Sequence, residues 1–85
     1  MTHSIIERAS EQTGISVDIL MGWSRPQRVC YVRFAIMEAL RSRGLSLGQV
    51  ARLMNRHHTT VLSGLRQAEA LRDNEAYQII RSAIA

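Results

Sequence analysis

The sequence has no lysine, one cysteine, one proline and few aromatic residues, which make up 5% of its 85 residues. A lone Cys30 cannot close an internal disulfide, so a cystine-stapled secreted scaffold is excluded, a reducing compartment fits, and the thiol is expected to be buried. With a single proline and few β-branched runs, helices packed through Leu, Ile, Val, Met and Ala are expected rather than sheet. No apolar run approaches the ~20 residues that cross a bilayer, and Glu7 and Glu11 stand where a signal peptide would be hydrophobic, so a soluble chain is expected. The length suits one domain spanning residues 1–85 and excludes a catalytic domain joined to a binding domain. No phosphate-binding glycine loop is present, so nucleotide hydrolysis is not expected.

What is present is arginine. Eleven basic residues against seven acidic ones give a net charge of +4, which either marks an anionic partner or follows from a GC-rich genome.

Helical periodicity and caps divide the chain into six elements. Ser4 with Glu7 forms a capping-box pattern ahead of Ile5, Ile6 and Ala9, and Gly14 ends that stripe. Ser16 caps a short turn of helix carrying Val17, Ile19, Leu20 and Met21, closed by Gly22, and Gly22–Pro26 reads as a basic loop. Pro26 opens a long helix whose inward face is Val29, Val32, Ile36, Ala39 and Leu40, ending at Arg41, Arg43 and Gly44. Ser46 and Gln49 make a second capping box before Leu47, Val50, Ala51 and Met54. Asn55 and Arg56 interrupt the pattern, and Val61, Leu65 and Ala68 resume it to about Arg72. After Asp73–Asn74, a stripe of Tyr77, Ile80, Ala83 and Ile84 either folds back on the core or offers a dimer face. The pair around residues 46–72 is the sequence form of a helix-turn-helix.

In such a motif the second helix enters the major groove, and the side chains at its start meet base edges. His57, His58, Thr59 and Thr60 occupy that start, and Ser63, Arg66 and Gln67 continue the polar face. Histidine can hydrogen-bond to base acceptors, and threonine can use its hydroxyl on a base or phosphate or its methyl on thymine. The bland alternative is a solvated helix start with Thr59 as the cap.

The run from Leu45 to Leu62, L-S-L-G-Q-V-A-R-L-M-N-R-H-H-T-T-V-L, resembles the signature of the C-terminal DNA-binding domain of the bacterial replication initiator DnaA, an L-S-L-x-x-I-G helix followed by R-D-H-T-T-V-L. Ser4–Leu20 is similar to the family's opening helix and turn, Arg25 and Arg28 fall in its basic loop, and Arg33 lies near its P-R-Q arginine. The resemblance implies an all-α, Trp-repressor-like helix-turn-helix that binds double-stranded DNA. It implies Arg25 in the minor groove and His57, His58 and Thr59 on major-groove bases. It also implies backbone contacts from Thr60, Arg56, Arg33, Arg28 and the Leu47 main-chain amide. Two departures stand out. His57 replaces the signature aspartate, exchanging a pure acceptor for a group that donates or accepts, so the target sequence should differ. The turn is one residue shorter, with Asn55 where the family commonly has a glycine pair.

Other constellations are poorer. His57 and His58 are adjacent and have no Cys or acidic residue at i+3 or i+4, so no metal site or other cofactor is expected. No nucleophile has a base at fixed spacing, so no enzyme is expected. Trp23 suits either the core edge or the DNA backbone beside Arg25, and the usual burial of a lone Trp favours the core. Arg8, Arg41, Arg43, Arg52, Arg72 and Arg81 read as solvated helix faces, with Arg41 and Arg43 the better candidates for phosphate. The expected function is sequence-specific duplex binding that modulates replication initiation or transcription in the cytoplasm, on the nucleoid, by a monomer, with a dimer as the alternative and replication or transcription proteins as further partners. A protein-interaction adaptor using the same helices without specific DNA binding is the competing class.

Overall fold

A computed structural model describes residues 4–85. Six helices are present among the described residues, and no strand: α1 Ser4–Thr13, α2 Val17–Met21, α3 Gln27–Ser42, α4 Leu47–Leu53, α5 His58–Ala70 and α6 Glu75–Ile84. The expected all-α class is what is seen.

α3 is the axis against which every other helix packs. Its inward residues Val29, Val32, Ile36, Met37 and Leu40 meet Ile5, Ile6, Leu20, Val50, Met54, Val61, Tyr77 and Ile84 from the surrounding elements. α1 takes in Ser4, the residue expected as its cap, and what precedes it lies outside the described residues. Ser16 Oγ accepts the Ile19 amide at the start of α2. Pro26 precedes α3 as its N-cap, where a missing N–H costs nothing. α5 ends at Ala70, two residues short of the expected Arg72.

Two turns aim the motif, and both are Schellman closures. After α3, the Gly44 amide donates to the Arg41 carbonyl and the Leu45 amide to the Leu40 carbonyl, with Gly44 at φ +94°. After α4, the Asn55 amide donates to Arg52 and the Arg56 amide to Ala51, with Asn55 at φ 54°. Asn55 is therefore the left-handed residue that ends α4, a place asparagine tolerates better than other side chains. This is how a turn without its glycine pair still closes.

Between these turns, Ser46 and Gln49 form the expected reciprocal capping box. α5 approaches α3 closely because Gly64 has no side chain: a Cβ there would meet Met37 Sδ and Phe34 Cδ1.

The last stripe folds back, and α6 packs on α1 and α3. Asn74 caps it by accepting the Tyr77 amide at 3.0 Å. Tyr77 is 1% exposed, lies edge-on to Tyr31, and donates its hydroxyl to Glu38 Oε1 at 2.5 Å. Arg81 pairs with the same carboxylate. Burial, and then the Glu38 hydrogen bond, push the Tyr77 phenol well above its ordinary range. No helix among the described residues is long and apolar enough to cross a membrane.

Candidate nucleic-acid interface

α4, the Asn55 turn and α5 place residues 57–60 at an exposed helix start. His57 is the N-cap: its Nδ1 accepts the Thr59 amide at 3.3 Å and lies 2.8 Å from Thr59 Oγ1. Histidine, not Thr59, thus supplies the cap. While Nδ1 accepts, the neutral ring carries its proton on Nε2, leaving a donor for an external acceptor. The His57 and His58 rings lie against each other, centroids 4.5 Å apart and tilted by 31°. His58, Thr59 and Thr60 are all exposed. At the start of α4, the Leu47 amide is in the first turn, where no intrahelical acceptor is available.

The basic loop lies across a cleft from this helix. Trp23 and Arg25 form one side, Thr60, Ser63, Gly64 and Gln67 of α5 the other, and Cys30, Arg33, Phe34, Met37 and Arg56 the floor and flanks. Arg25 is exposed and its guanidinium has no partner among the described residues.

The other arginines of the expected set are engaged. Arg28 donates to the Thr13 carbonyl at 2.7 Å, joining α3 to the end of α1. Arg33 is only 7% exposed, and its guanidinium donates to the carbonyls of Ile19, Leu20, Gly22 and Ser24. In the free protein these donors hold the end of α2 and the loop root. Arg56 does similar work from the helix-turn-helix turn, donating to Met21, Gly22, Asn55 and Met54 carbonyls. The Gly22 carbonyl is shared by both guanidinium groups. Desolvation by burial lowers the pKa of each, and for Arg56 the neighbouring Arg33 charge adds to it. Both remain cationic at neutral pH.

Trp23 corrects one expectation. Its ring is 73% exposed instead of entering the core, and the Arg56 guanidinium lies 4.4 Å from its centroid. Nothing in the pattern of a five-residue loop signals that arrangement. Cys30, expected to be buried, is half-buried, with its thiol directed to the Arg25 carbonyl at 3.7 Å. Gly64 had a readable signal, since it falls on the inward stripe with Val61 and Ala68.

Charge is segregated along the chain. Eight arginines lie from Arg25 to Arg66, and the one acid in that stretch, Glu38, is held by Tyr77 and Arg81 on the α6 side. The cleft is lined by Arg25, Arg33 and Arg56 and by no acidic residue, so it lies in a positive field.

The family model described as bacterial dnaA protein helix-turn-helix matches residues 2–68. The chain belongs to that family. It is a DnaA-like, DNA-binding helix-turn-helix domain, and DNA is its partner. The matched span covers α1 to α4 and most of α5, including the loop and both sides of the cleft, whereas α6 lies beyond it. No curated protein and no solved structure matches the chain.

Proposed function

We propose that this DnaA-like chain is a single-domain, monomeric, non-enzymatic reader of specific duplex sequences related to the initiator's boxes, modulating replication initiation or transcription on the bacterial nucleoid. One observation carries the reading: the exposed start of α5 and the uncommitted Arg25 stand on opposite sides of one cleft. A helix seated in a major groove would then place the loop at the adjacent minor groove.

In this reading His57, His58 and Thr59 meet base edges. Thr60, Arg28, Arg56 and the Leu47 amide contact the backbone with donors their protein contacts leave over, and Arg25 enters the minor groove. Arg33 has no part in contact; it holds the loop that carries Arg25. Because His57 presents a donor where the family has an acceptor, the preferred base under it should be one with an acceptor edge, such as guanine, instead of the cytosine an aspartate can accept from. Selection of bound duplexes from a random pool, with the initiator's usual box as competitor, tests this. A consensus that departs from the box at the position under His57 supports the reading. Binding without any enriched sequence overturns it.

A further inference from the structure

We propose that the cleft between Trp23 and α5 seats the sugar-phosphate strand that separates the two grooves, with Trp23 packing its open face on the deoxyribose edge. This rests on the duplex-reading function above and adds a contact that the family's motif does not supply.

The geometry leads there in three steps. A major groove and its adjacent minor groove share one strand, so a protein with a helix in one and a loop in the other must straddle that strand. The space between α5 and the loop is the cleft, about 250 Å³, smaller than sites that enclose a small-molecule ligand. Its walls suit a sugar-phosphate edge: Thr60, Ser63 and Gln67 offer hydroxyl and amide donors, Arg25 offers charge, and Trp23 offers the large apolar surface.

Trp23 is also prepared for the contact. The Arg56 guanidinium covers one face of the indole and is itself fixed by the carbonyls of Gly22 in the loop and Asn55 in the turn, while the ring as a whole is 73% exposed. A cation on one face holds the ring in place, so little side-chain freedom remains to be lost on docking. An exposed aromatic surrounded by arginines complements a surface that is anionic at its phosphates and apolar at its sugars.

Trp23 is the only tryptophan, so its fluorescence reports on this contact alone. Saturating the protein with its selected duplex should lower acrylamide quenching of Trp23 severalfold. Anisotropy of a labelled duplex, recorded in parallel, should show Trp23→Ala binding about tenfold more weakly and Trp23→Phe close to the unsubstituted protein, with circular dichroism unchanged in both. If the duplex binds yet Trp23 stays equally open to acrylamide, or folded Trp23→Ala binds as tightly as the unsubstituted protein, the strand-cleft contact is wrong and the duplex-reading function stands. If no duplex raises the anisotropy, both fall.

Discussion

On the side of α3 that faces α6, a buried phenol, one carboxylate and one arginine close the core, and the rest of the contact is apolar. On the side that faces α2 and the loop, two arginines donate to a row of main-chain carbonyls, and little apolar surface from the loop is buried at all. The first arrangement follows from a helix whose stripe can be hidden. The second follows from a loop that leaves its residues exposed: with no core of its own, it is shaped by cations that satisfy its carbonyls. On the proposed reading, core closure and DNA contact are thus separated across one helix, and substitutions on the two sides should fail in different ways.

The largest effect is expected on the α6 side. Tyr77→Ala should cost about 3–5 kcal/mol in denaturant unfolding, as for other aromatic truncations in cores, and DNA affinity should fall only as far as the folded fraction does. Tyr77 also gives this side a pH signature. Its folded pKa is raised, so the unfolded chain loses the phenolic proton first, and stability should decline as pH rises above the ordinary value near 10. Tyr77→Phe should flatten that decline; an equal slope in both proteins would show that the Tyr77 phenol does not set it.

Next is Arg33→Met, which keeps the stem and removes the donors. Leaving the buried Leu20 carbonyl and the part-buried Ser24 carbonyl without partners, and weakening the hold on Ile19 and Gly22, should cost about 2–3 kcal/mol. The remaining folded protein should lose specific affinity as well, because Arg25 is carried by the released loop. A variant that is destabilised yet binds its site normally would refute the view that Arg33 holds the loop for Arg25. Losses near 1–3 kcal/mol are expected for His58→Ala or Thr59→Ala at the preferred site, with nonspecific binding nearly intact. Equal loss on specific and random duplexes would move both residues to the phosphate-contact class.

The helices were legible because the chain writes their ends: Ser16, Ser46 with Gln49, Gly44 and Asn74 each sit where a cap is needed and act as caps. Of the candidate site, the exposed helix start at residues 57–60 and the exposed loop at Arg25 were legible, because a helix start and a basic loop are local features. The hold of Arg33 on the loop went unread although its spacing held the clue. The residue falls beside Val32 and three residues before Ile36 on the inward stripe of α3, a position that requires burial whatever the side chain. Its partners, 9 to 14 residues earlier, could not be read from periodicity. The same holds for Trp23, whose position depends on Arg56, a residue 33 positions away in sequence and brought close only by the fold.

The smallest effect expected concerns the turn that joins these regions. Asn55 is left-handed, and both closing hydrogen bonds of the Schellman motif run through its neighbourhood, so the side chain matters chiefly for the backbone conformation it allows. Glycine adopts that conformation freely but adds entropy to the unfolded chain, so the two effects should nearly cancel and Asn55→Gly should shift stability by less than about 0.5 kcal/mol. Asn55→Ala has no such compensation and should cost about 1 kcal/mol. Arg56 follows directly and reaches the loop carbonyls, so a turn that changed its angle would also change loop position and base preference. Selecting sites for Asn55→Gly measures that link: the same consensus is expected, because the hydrogen bonds that set the angle involve main-chain atoms. A shifted consensus with unchanged stability would mean that the Asn55 side chain itself orients the recognition helix.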